Sequence, residues 1–333
     1  MVLTSLINFA RSKQTNGRYV LAPFAWVFAL MFSLGRQEGI PPVPPIVAAV
    51  VAPETVTDDT VVIPSEDPEI VSPPARVIEP PAPRPIRRDS FFSDLRGPLN
   101  LNDWRVSQLE NTHQGVFYGG PWVWENIIQK HDRLILKVRA GEDGERPTMA
   151  EMQSRRRFGY GRYEVIMRPS GESGVVSTFF TYTGPFRGDP HDEVDIEFIG
   201  ARPEGIEYNY FRRGRKGAYS REQLDFNISE RMNLYAFEWH PDEIIWFVNG
   251  EEHYRSPRGQ SRIPETVGNI YISAWTGIPS MHAWTGLPRF GDEAQAEYAC
   301  VSYKPFDSDS YSCADLWSDD PQFHYDDSEA VSD

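Results

Sequence analysis

The sequence predicts an all-β fold, a sandwich or barrel in one domain, between residues 91 and 306. In this range, short segments rich in Val, Ile, Tyr, Phe and Trp alternate with turn-forming residues, as in RLILKVRA, GRYEVIMRP and NIYISAW. Asn249 and Gly250 separate EIIWFV from EEHYR, which is a strong hairpin signal. No long segment has the apolar spacing of an amphipathic helix. Many strands at short intervals are typical of a sandwich or barrel.

The N-terminus has the features of an export signal. Residues 1–18 form a basic leader, and residues 19–35 are uncharged. Positive charge before an apolar run predicts that the leader stays in the cytoplasm and that the rest of the chain is exported. The run is either an uncleaved anchor in the inner membrane, with the protein facing the periplasm, or a signal peptide cut after Gly35, with the protein secreted. The long basic leader and the lack of an A-x-A cleavage motif favour the anchor.

Residues 36–90 predict a disordered spacer. They hold 13 of the 28 prolines and no aromatic residue, so they cannot bury enough apolar surface to fold. In extended polyproline form, about 50 residues would reach ~150 Å. Such a segment would hold the β-rich domain away from the membrane; the alternative is a Pro-rich ligand for another protein.

The net charge is −15, which argues against a nucleic-acid partner because phosphate binding needs a basic surface. Residues 307–333 hold nine acidic residues and no Lys or Arg, which predicts a solvated, disordered tail. Only two cysteines occur, Cys300 and Cys313. These two cysteines either form one disulfide or remain two free thiols, and the sequence does not decide between the two. No cluster of His, Cys and Asp has the spacing of a metal site.

The segment HDEVDIEFIG, residues 191–200, carries the pattern that indicates function. Alternate side chains of a β-strand share a face, so Glu193, Asp195 and Glu197 point one way while the apolar residues between them point into a core. Acids so close repel one another and raise each other's pKa, and such costly arrangements occur mainly where function needs them. Glycoside hydrolysis needs one carboxylate as nucleophile or base and one acid as proton donor. A solvated acidic edge strand and a Ca²⁺ site with Asp192 are the alternatives.

From about Trp104 to Phe306 the chain resembles glycoside hydrolase family 16, which includes lichenases and laminarinases. The resemblance implies a concanavalin-like jelly roll of two antiparallel sheets, a polysaccharide substrate and a retaining endo-β-glucanase. The chain is similar to lichenases and to bacterial glycanases that trim secreted exopolysaccharides. The blocks that carry the resemblance are FGYGRYEV at 158–165, GVVSTFFTYTGP at 174–185, DEVDIEFIG at 192–200 and YAFEWHPDEIIWFVNG at 235–250.

The resemblance assigns roles to individual residues. Glu193 would be the nucleophile, Asp195 its assisting partner and Glu197 the acid/base, on a strand without the bulge of many laminarinases. His191 is expected in the cleft, where it would tune Glu193 or contact sugar, and a structural role is the alternative. Further substrate-binding residues are expected at Trp124, Asn126, Glu151, Asn209 and Phe211. Trp275 and Trp284 are expected to be stacking platforms for sugar rings, and core packing is the alternative for these two.

Four positions depart from the lichenase pattern. Gln153 stands in place of an Arg, His191 in place of a Trp and Phe211 in place of a Tyr. Ala299 stands where an Asp would help hold the structural Ca²⁺ of the family. These departures leave the substrate and the calcium open; no cofactor is required for the chemistry.

Two other functions share these residues. A transglycosylase would use the same three carboxylates and differ in water access. A non-catalytic, lectin-like module would need neither Glu193 nor Glu197, so their presence argues against it. In each case the sequence predicts a monomeric domain. A basic loop, FRRGRKG at 211–217, is expected near one end of the cleft and would favour an acidic polysaccharide; a solvated turn is the alternative.

Overall fold

The computed structural model describes residues 89–110, 117–142, 145–259 and 262–323. Nearly all of the regular structure in these ranges is strand, in agreement with the predicted fold class. The strands are β1 (Phe91–Asp94), β2 (Trp104–Val106), β3 (Ile127–Gln129), β4 (Leu134–Arg139), β5 (Ala150–Phe158), β6 (Gly161–Arg168), β7 (Val175–Thr183), β8 (Asp192–Ile199), β9 (Gly205–Arg212), β10 (Arg215–Lys216), β11 (Ser220–Gln223), β12 (Asn233–Trp239), β13 (Ile244–Val248), β14 (Glu251–Arg255), β15 (Gly268–Thr276) and β16 (Glu293–Lys304). The helices are α1 (His282–Thr285) and α2 (Cys313–Asp319), with 3₁₀ turns at Trp124–Asn126, Pro185–Arg187, Pro279–Met281 and Pro321–Phe323.

The strands form two antiparallel sheets. The first has the order β14-β13-β12-β6-β16-β4-β3, with β1 paired to β16. The second has the order β10-β9-β8-β7-β15-β5-β2, with β11 paired to β9. The predicted sandwich of two antiparallel sheets is thus confirmed, and the strand with the three acids lies inside the second sheet rather than at its edge.

Aromatic side chains dominate the core. Trp239, Trp246 and Tyr163 are fully buried, and burial of side chains of this size contributes about 1.5–3 kcal/mol each. The Tyr163 and Phe237 rings stack with centroids 4.6 Å apart. The Trp246 indole donates a hydrogen bond of 3.1 Å to the backbone carbonyl of Asp195. The core therefore holds the backbone of β8 at the middle of its acidic segment.

The hairpin predicted at Asn249–Gly250 is present between β13 and β14. The two residues have φ of 49° and 90°, the left-handed region that a two-residue turn of this kind requires and that Asn and Gly tolerate best.

The prediction of a disordered tail from residue 307 is wrong for residues 307–323. Helix α2 packs on the outer face of the first sheet, where Leu316 and Phe323 join an apolar cluster with Ile166 and Leu234. A disulfide joins Cys300 of β16 to Cys313 of α2, with Cα atoms 5.8 Å apart. The prediction failed because it rested on the acidic composition and not on the few apolar residues of this segment. In addition, an acidic residue in the first turn of a helix, such as Asp315, stabilises that helix.

Several predictions concern residues outside the described part of the chain. These are the basic leader 1–18, the apolar run 19–35, the spacer up to residue 88 and the tail from 324 to 333. Within the described ranges, no helix has the length and apolar character needed to cross a bilayer.

Candidate active site

Strand β8 is paired without any register irregularity to β7 and β9 over its acidic segment. The residues opposite one another therefore form three rows across the second sheet, on the face that points away from the core. We call this the carboxylate face. The Glu193 row contains Phe211, Glu193 and Tyr182; the Asp195 row contains Asn209, Asp195, Phe180, Tyr271 and Gln153; the Glu197 row contains Glu207, Glu197, Thr178, Ser273 and Glu151.

The alternate residues of β8 face the core as the pattern predicts. Val194, Ile196 and Phe198 are fully buried in the main apolar cluster. Asp195 and Glu197 are also nearly covered, with exposures of 5% and 7%. Covered carboxyl groups keep their charge only at a cost, so their neighbours decide their protonation.

Glu193 has polar neighbours on two sides. Nε2 of His191 lies 2.6 Å from its Oε2, and the Asp195 carboxyl also lies within hydrogen-bonding reach. The imidazole of His191 stacks on Phe211 at 5.0 Å and meets the edge of Tyr182 at 5.2 Å. These contacts limit the orientations that the Glu193 side chain can adopt.

Asp195 and Glu197 favour the protonated state. Burial raises the pKa of Asp195 well above its usual value, and the charges of Glu193 and Glu197 raise it further. Burial also raises the pKa of Glu197, together with the charges of Glu207 and Glu193. Oε2 of Glu197 has no hydrogen-bond partner among the described residues. Glu197 therefore has the raised pKa that a general acid needs near neutral pH.

Glu151 lies in the Glu197 row, two strands beyond β7. Burial raises its pKa to about 7, and the charge of Glu193 adds to this shift. The Ser107 hydroxyl donates to its Oε1 at 2.6 Å. Glu151 thus adds another polar group to the predicted site.

Glu207 is a site residue that the sequence did not reveal. It faces Glu197 across β8 and β9 and is almost fully buried. Its carboxylate accepts from Arg202 at 2.9 Å, Arg221 at 2.8 Å and the Trp284 indole at 2.8 Å. Its charge is therefore compensated, and helix α1, which carries Trp284, is tied to the carboxylate face. The only available signal was its position two residues before Asn209.

The cations of the basic loop, residues 211–217, lie in two different environments. Arg212 and Arg213 both pair with the carboxylate of Glu265, which fits the solvated-turn alternative for these two residues. Lys216 lies in strand β10, where its backbone is opposite Phe211 of the Glu193 row. Its Nζ lies 4.2 Å from the centre of the Tyr219 ring. No carboxylate oxygen of the described residues lies within ion-pair distance of Lys216, although its charge lowers the pKa of Asp195 and Glu197.

Trp275 differs from the expectation of an open stacking platform. It lies on the carboxylate face, but Phe117, Tyr118 and Trp284 contact its ring, and only 4% of the residue is exposed. The core-packing alternative describes this arrangement better. Sequence reasoning also missed Tyr118, whose pKa is raised by burial and by the charges of acids on this face, led by Glu151.

The remaining predicted residues lie in distinct settings. Trp124 is 42% exposed, and the buried Asn126 donates to Thr148 at 3.0 Å, outside the three rows. Asn209 is fully buried in the Asp195 row, and neither of its side-chain polar atoms has a partner in the described structure. A buried amide without partners is rare and available to a ligand.

Ala299 does not fit a calcium site through its side chain. It is fully buried in the apolar cluster beneath α2, where its methyl group faces other apolar groups. Hard cations bind oxygen ligands, so this position contributes none from its side chain.

Several known proteins are similar to this chain. The family model described as "Glycosyl hydrolases family 16" matches residues 121–298. A β-glucanase of Acetivibrio thermocellus is 35% identical over 210 residues, 62% of this chain and 60% of that protein. The chain thus spans about three-fifths of that relative's length. A β-glucanase of Bacillus subtilis is 37% identical over 191 residues, 56% of this chain and 75% of that protein.

Solved structures show the same relationship. A prokaryotic β-1,3-1,4-glucanase (lichenase) from a mouse hindgut metagenome superposes with a TM-score of 0.60 at 33% identity. The match covers 65% of this chain and 99% of the lichenase chain.

Proposed function

Since the chain belongs to glycosyl hydrolase family 16, we propose that it is a retaining endo-β-glucanase. Its substrate would be a β-1,3/1,4-linked glucan or a bacterial exopolysaccharide. The observation that supports this most is the pairing of an oriented carboxylate, Glu193, with a carboxylic acid of raised pKa, Glu197, on one strand. Glycosidases need these two protonation states side by side.

The reaction would proceed in two displacements. In the first, Glu193 attacks the anomeric carbon, the glycosidic C–O bond breaks, and Glu197 transfers its proton to the leaving oxygen. In the second, Glu197 takes a proton from water, whose oxygen attacks the same carbon and releases Glu193. The protonated Glu197 is then ready for another cycle.

Two neighbours would position the nucleophile. His191 and Asp195 both contact the Glu193 carboxyl, and each hydrogen bond limits its rotation. While Glu193 is a charged carboxylate, we expect the proton of Asp195 to stabilise that charge. As the ester forms and the charge disappears, we expect this proton to change its position. Direct contact of His191 with sugar is the second role we consider for it.

The substrate would lie across the three rows. Asn209 offers a buried amide that has no partner among the described residues. Phe211 lies opposite Glu193 on β9, and Glu151 lies on β5 in the Glu197 row. Trp284 is placed by its bond to Glu207. We keep Trp124, Asn126 and Trp275 as substrate-binding candidates, with Trp275 needing movement of the rings that cover it.

We also propose that the protein is exported, anchored in the inner membrane through residues 19–35 or secreted if they are removed. The Cys300–Cys313 disulfide supports this proposal, because disulfides persist mainly in oxidising compartments. The catalytic domain would act as a monomer.

Product analysis of the full chain tests the proposed activity. We would incubate it with mixed-linkage glucan, a β-1,3-glucan, a β-1,4-glucan and a panel of bacterial exopolysaccharides. Release of short oligosaccharides from inside at least one polymer is expected, with water as acceptor. With an added oligosaccharide as acceptor, products longer than that oligosaccharide would instead identify a transglycosylase. Binding without any cleavage would identify a lectin-like module.

A further inference from the structure

The loop between β7 and β8 lies at the Glu193 end of the carboxylate face. It contains the 3₁₀ turn Pro185–Arg187 and joins Thr183 to Asp192, next to the Glu193 row. Two side chains of this turn reach back over that face. The Phe186 ring is parallel to Tyr182, with 2° between the planes and 6.1 Å between centroids. Arg187 donates a hydrogen bond of 3.0 Å to Oε1 of Gln153.

A network on the far side of the turn fixes its shape. The Arg157 guanidinium binds both Asp189 and the Thr183 hydroxyl, and Thr183 donates to Asp189 at 2.8 Å. Within the turn, the backbone N–H of Arg187 donates to the Gly184 carbonyl at 2.9 Å. A preformed loop loses little entropy when a ligand binds to it.

The turn offers an apolar plate next to hydrogen-bond donors. Phe186 is 43% exposed, and the Arg187 guanidinium carbon lies 4.8 Å from the centre of its ring. Nε of Arg187 is buried and has no acceptor among the described residues, although buried donors are normally paired. An aromatic face suits the C–H face of a pyranose, and a guanidinium suits its oxygens.

We propose that Phe186 and Arg187 form a sugar-binding subsite next to Glu193, in which one pyranose ring of the substrate stacks on Phe186 while Arg187 donates to its hydroxyl oxygens. The inference rests on the proposed glucanase function and extends its site to a loop that neither the motif nor the three rows include. Because Arg187 also binds Gln153, the subsite is continuous with the Asp195 row.

The first test uses kinetics of the full chain on aryl β-glucosides that carry one to four glucose units, and on polymeric glucan. In Phe186→Ala, KM on the polymer should rise roughly 3- to 10-fold, as loss of one ring contact predicts. In the wild type, kcat/KM should increase when the glucoside is lengthened by the glucose unit that occupies this subsite. In Phe186→Ala this increase should disappear. Phe186→Tyr should restore it, and Arg187→Met should reduce the same increment.

Phe306→Ala is the matched control. Phe306 is 47% exposed and stacks on His240, away from the carboxylate face, so its loss should alter no increment. An equal loss on all chain lengths in Phe186→Ala would show a general structural effect and overturn the subsite, as would unchanged kinetics.

A binding measurement separates this inference from the proposed function. Calorimetric titration with cellotetraose and laminaritetraose would compare Glu193→Gln with Glu193→Gln/Phe186→Ala. Weaker binding in the double variant supports the subsite even if the wild-type protein cleaves no glucan, an outcome that would refute only the proposed activity. Equal binding of a tetrasaccharide by both variants refutes the subsite and leaves the activity standing.

Discussion

Nε2 of His191 lies 2.6 Å from Oε2 of Glu193, and the imidazole is held in place by Phe211 and Tyr182. The backbone carbonyl of His191 also accepts the N–H of Gly214 at 2.8 Å. The residue before β8 therefore reaches the proposed nucleophile through a hydrogen bond and not merely through apolar packing.

Replacing this imidazole should affect chemistry more than binding. His191→Phe keeps an aromatic ring but removes the donor, and hydrogen bonds to charged groups contribute about 1.5–3 kcal/mol. We expect kcat to fall roughly 10- to 100-fold with little change in KM. His240→Phe is the matched control, because His240 contacts Glu238 at 3.2 Å outside the site. A change in KM alone would favour direct sugar contact by His191 instead.

Removal of either catalytic carboxylate should abolish most turnover. Glu193→Gln and Glu197→Gln should each lower kcat at least about 10³-fold, because covalent catalysis needs both groups. Both variants should keep the wild-type circular dichroism and melting temperature, since the replacement is nearly isosteric. Glu251→Gln, an exposed acid of β14, should retain full activity. Near-normal turnover by either site variant would refute the assignment.

The configuration at the anomeric carbon should be retained. A double displacement inverts this centre twice, so the first-formed product should carry the β-anomer. Proton NMR within the first minutes of reaction, before mutarotation, measures it directly. Initial formation of the α-anomer would mean that water attacks in a single step.

Lys216 should influence the pH dependence of the rate. Its charge lowers the pKa of Glu197 and Asp195, against the raising effects of burial and of the Glu193 and Glu207 charges. Lys216→Met should therefore raise the pKa of Glu197. Because the first step needs protonated Glu197, the alkaline limb of the kcat/KM profile should move to higher pH.

Two further variants check the origin of this shift. Lys216→Arg should restore the wild-type limb, and Lys137→Met, which removes a cation paired with Glu293 on the first sheet, should leave it unchanged. If Lys216→Met weakens binding of acidic polymers without moving the limb, Lys216 acts on specificity rather than on Glu197.

The disulfide should stabilise the domain without affecting the site. Closing a loop between residues 13 apart stabilises by about 3 kcal/mol in the chain-entropy model. Cys300→Ala/Cys313→Ala should lower the free energy of unfolding by about 2–4 kcal/mol in urea titrations. Turnover at 25 °C should be unchanged, because α2 packs on the first sheet. Equal urea midpoints for wild type and variant would contradict this prediction.

Local patterns in the sequence were enough to predict some features. The alternation around Asp195 determines which side chains face the core, and Asn249–Gly250 determines a hairpin. Both depend on backbone geometry that neighbouring residues share. The family resemblance then supplied the roles that we propose for Glu193 and Glu197.

Other features depend on contacts between distant parts of the chain. Glu207 lies opposite Glu197 only because β9 pairs with β8. Trp275 is covered by Phe117 and Tyr118, which are more than 150 residues earlier in the sequence. Helix α2 is ordered because Leu316 packs against apolar residues of the first sheet. The net composition of a segment does not predict such contacts with distant residues.

The N-terminal and C-terminal segments of the described domain contact each other beside the first sheet, where Arg96 also binds Asp320. Strand β1 pairs with β16, and the Ser90 hydroxyl donates to that of Ser310 at 2.9 Å. A short peptide bridge could therefore join the ends, and new termini could open at the exposed Asn249–Gly250 turn, giving a circular permutant with the same fold. Fusion partners or solid supports attached at the two ends of the described domain would leave the carboxylate face, on the other sheet, open to long polymers.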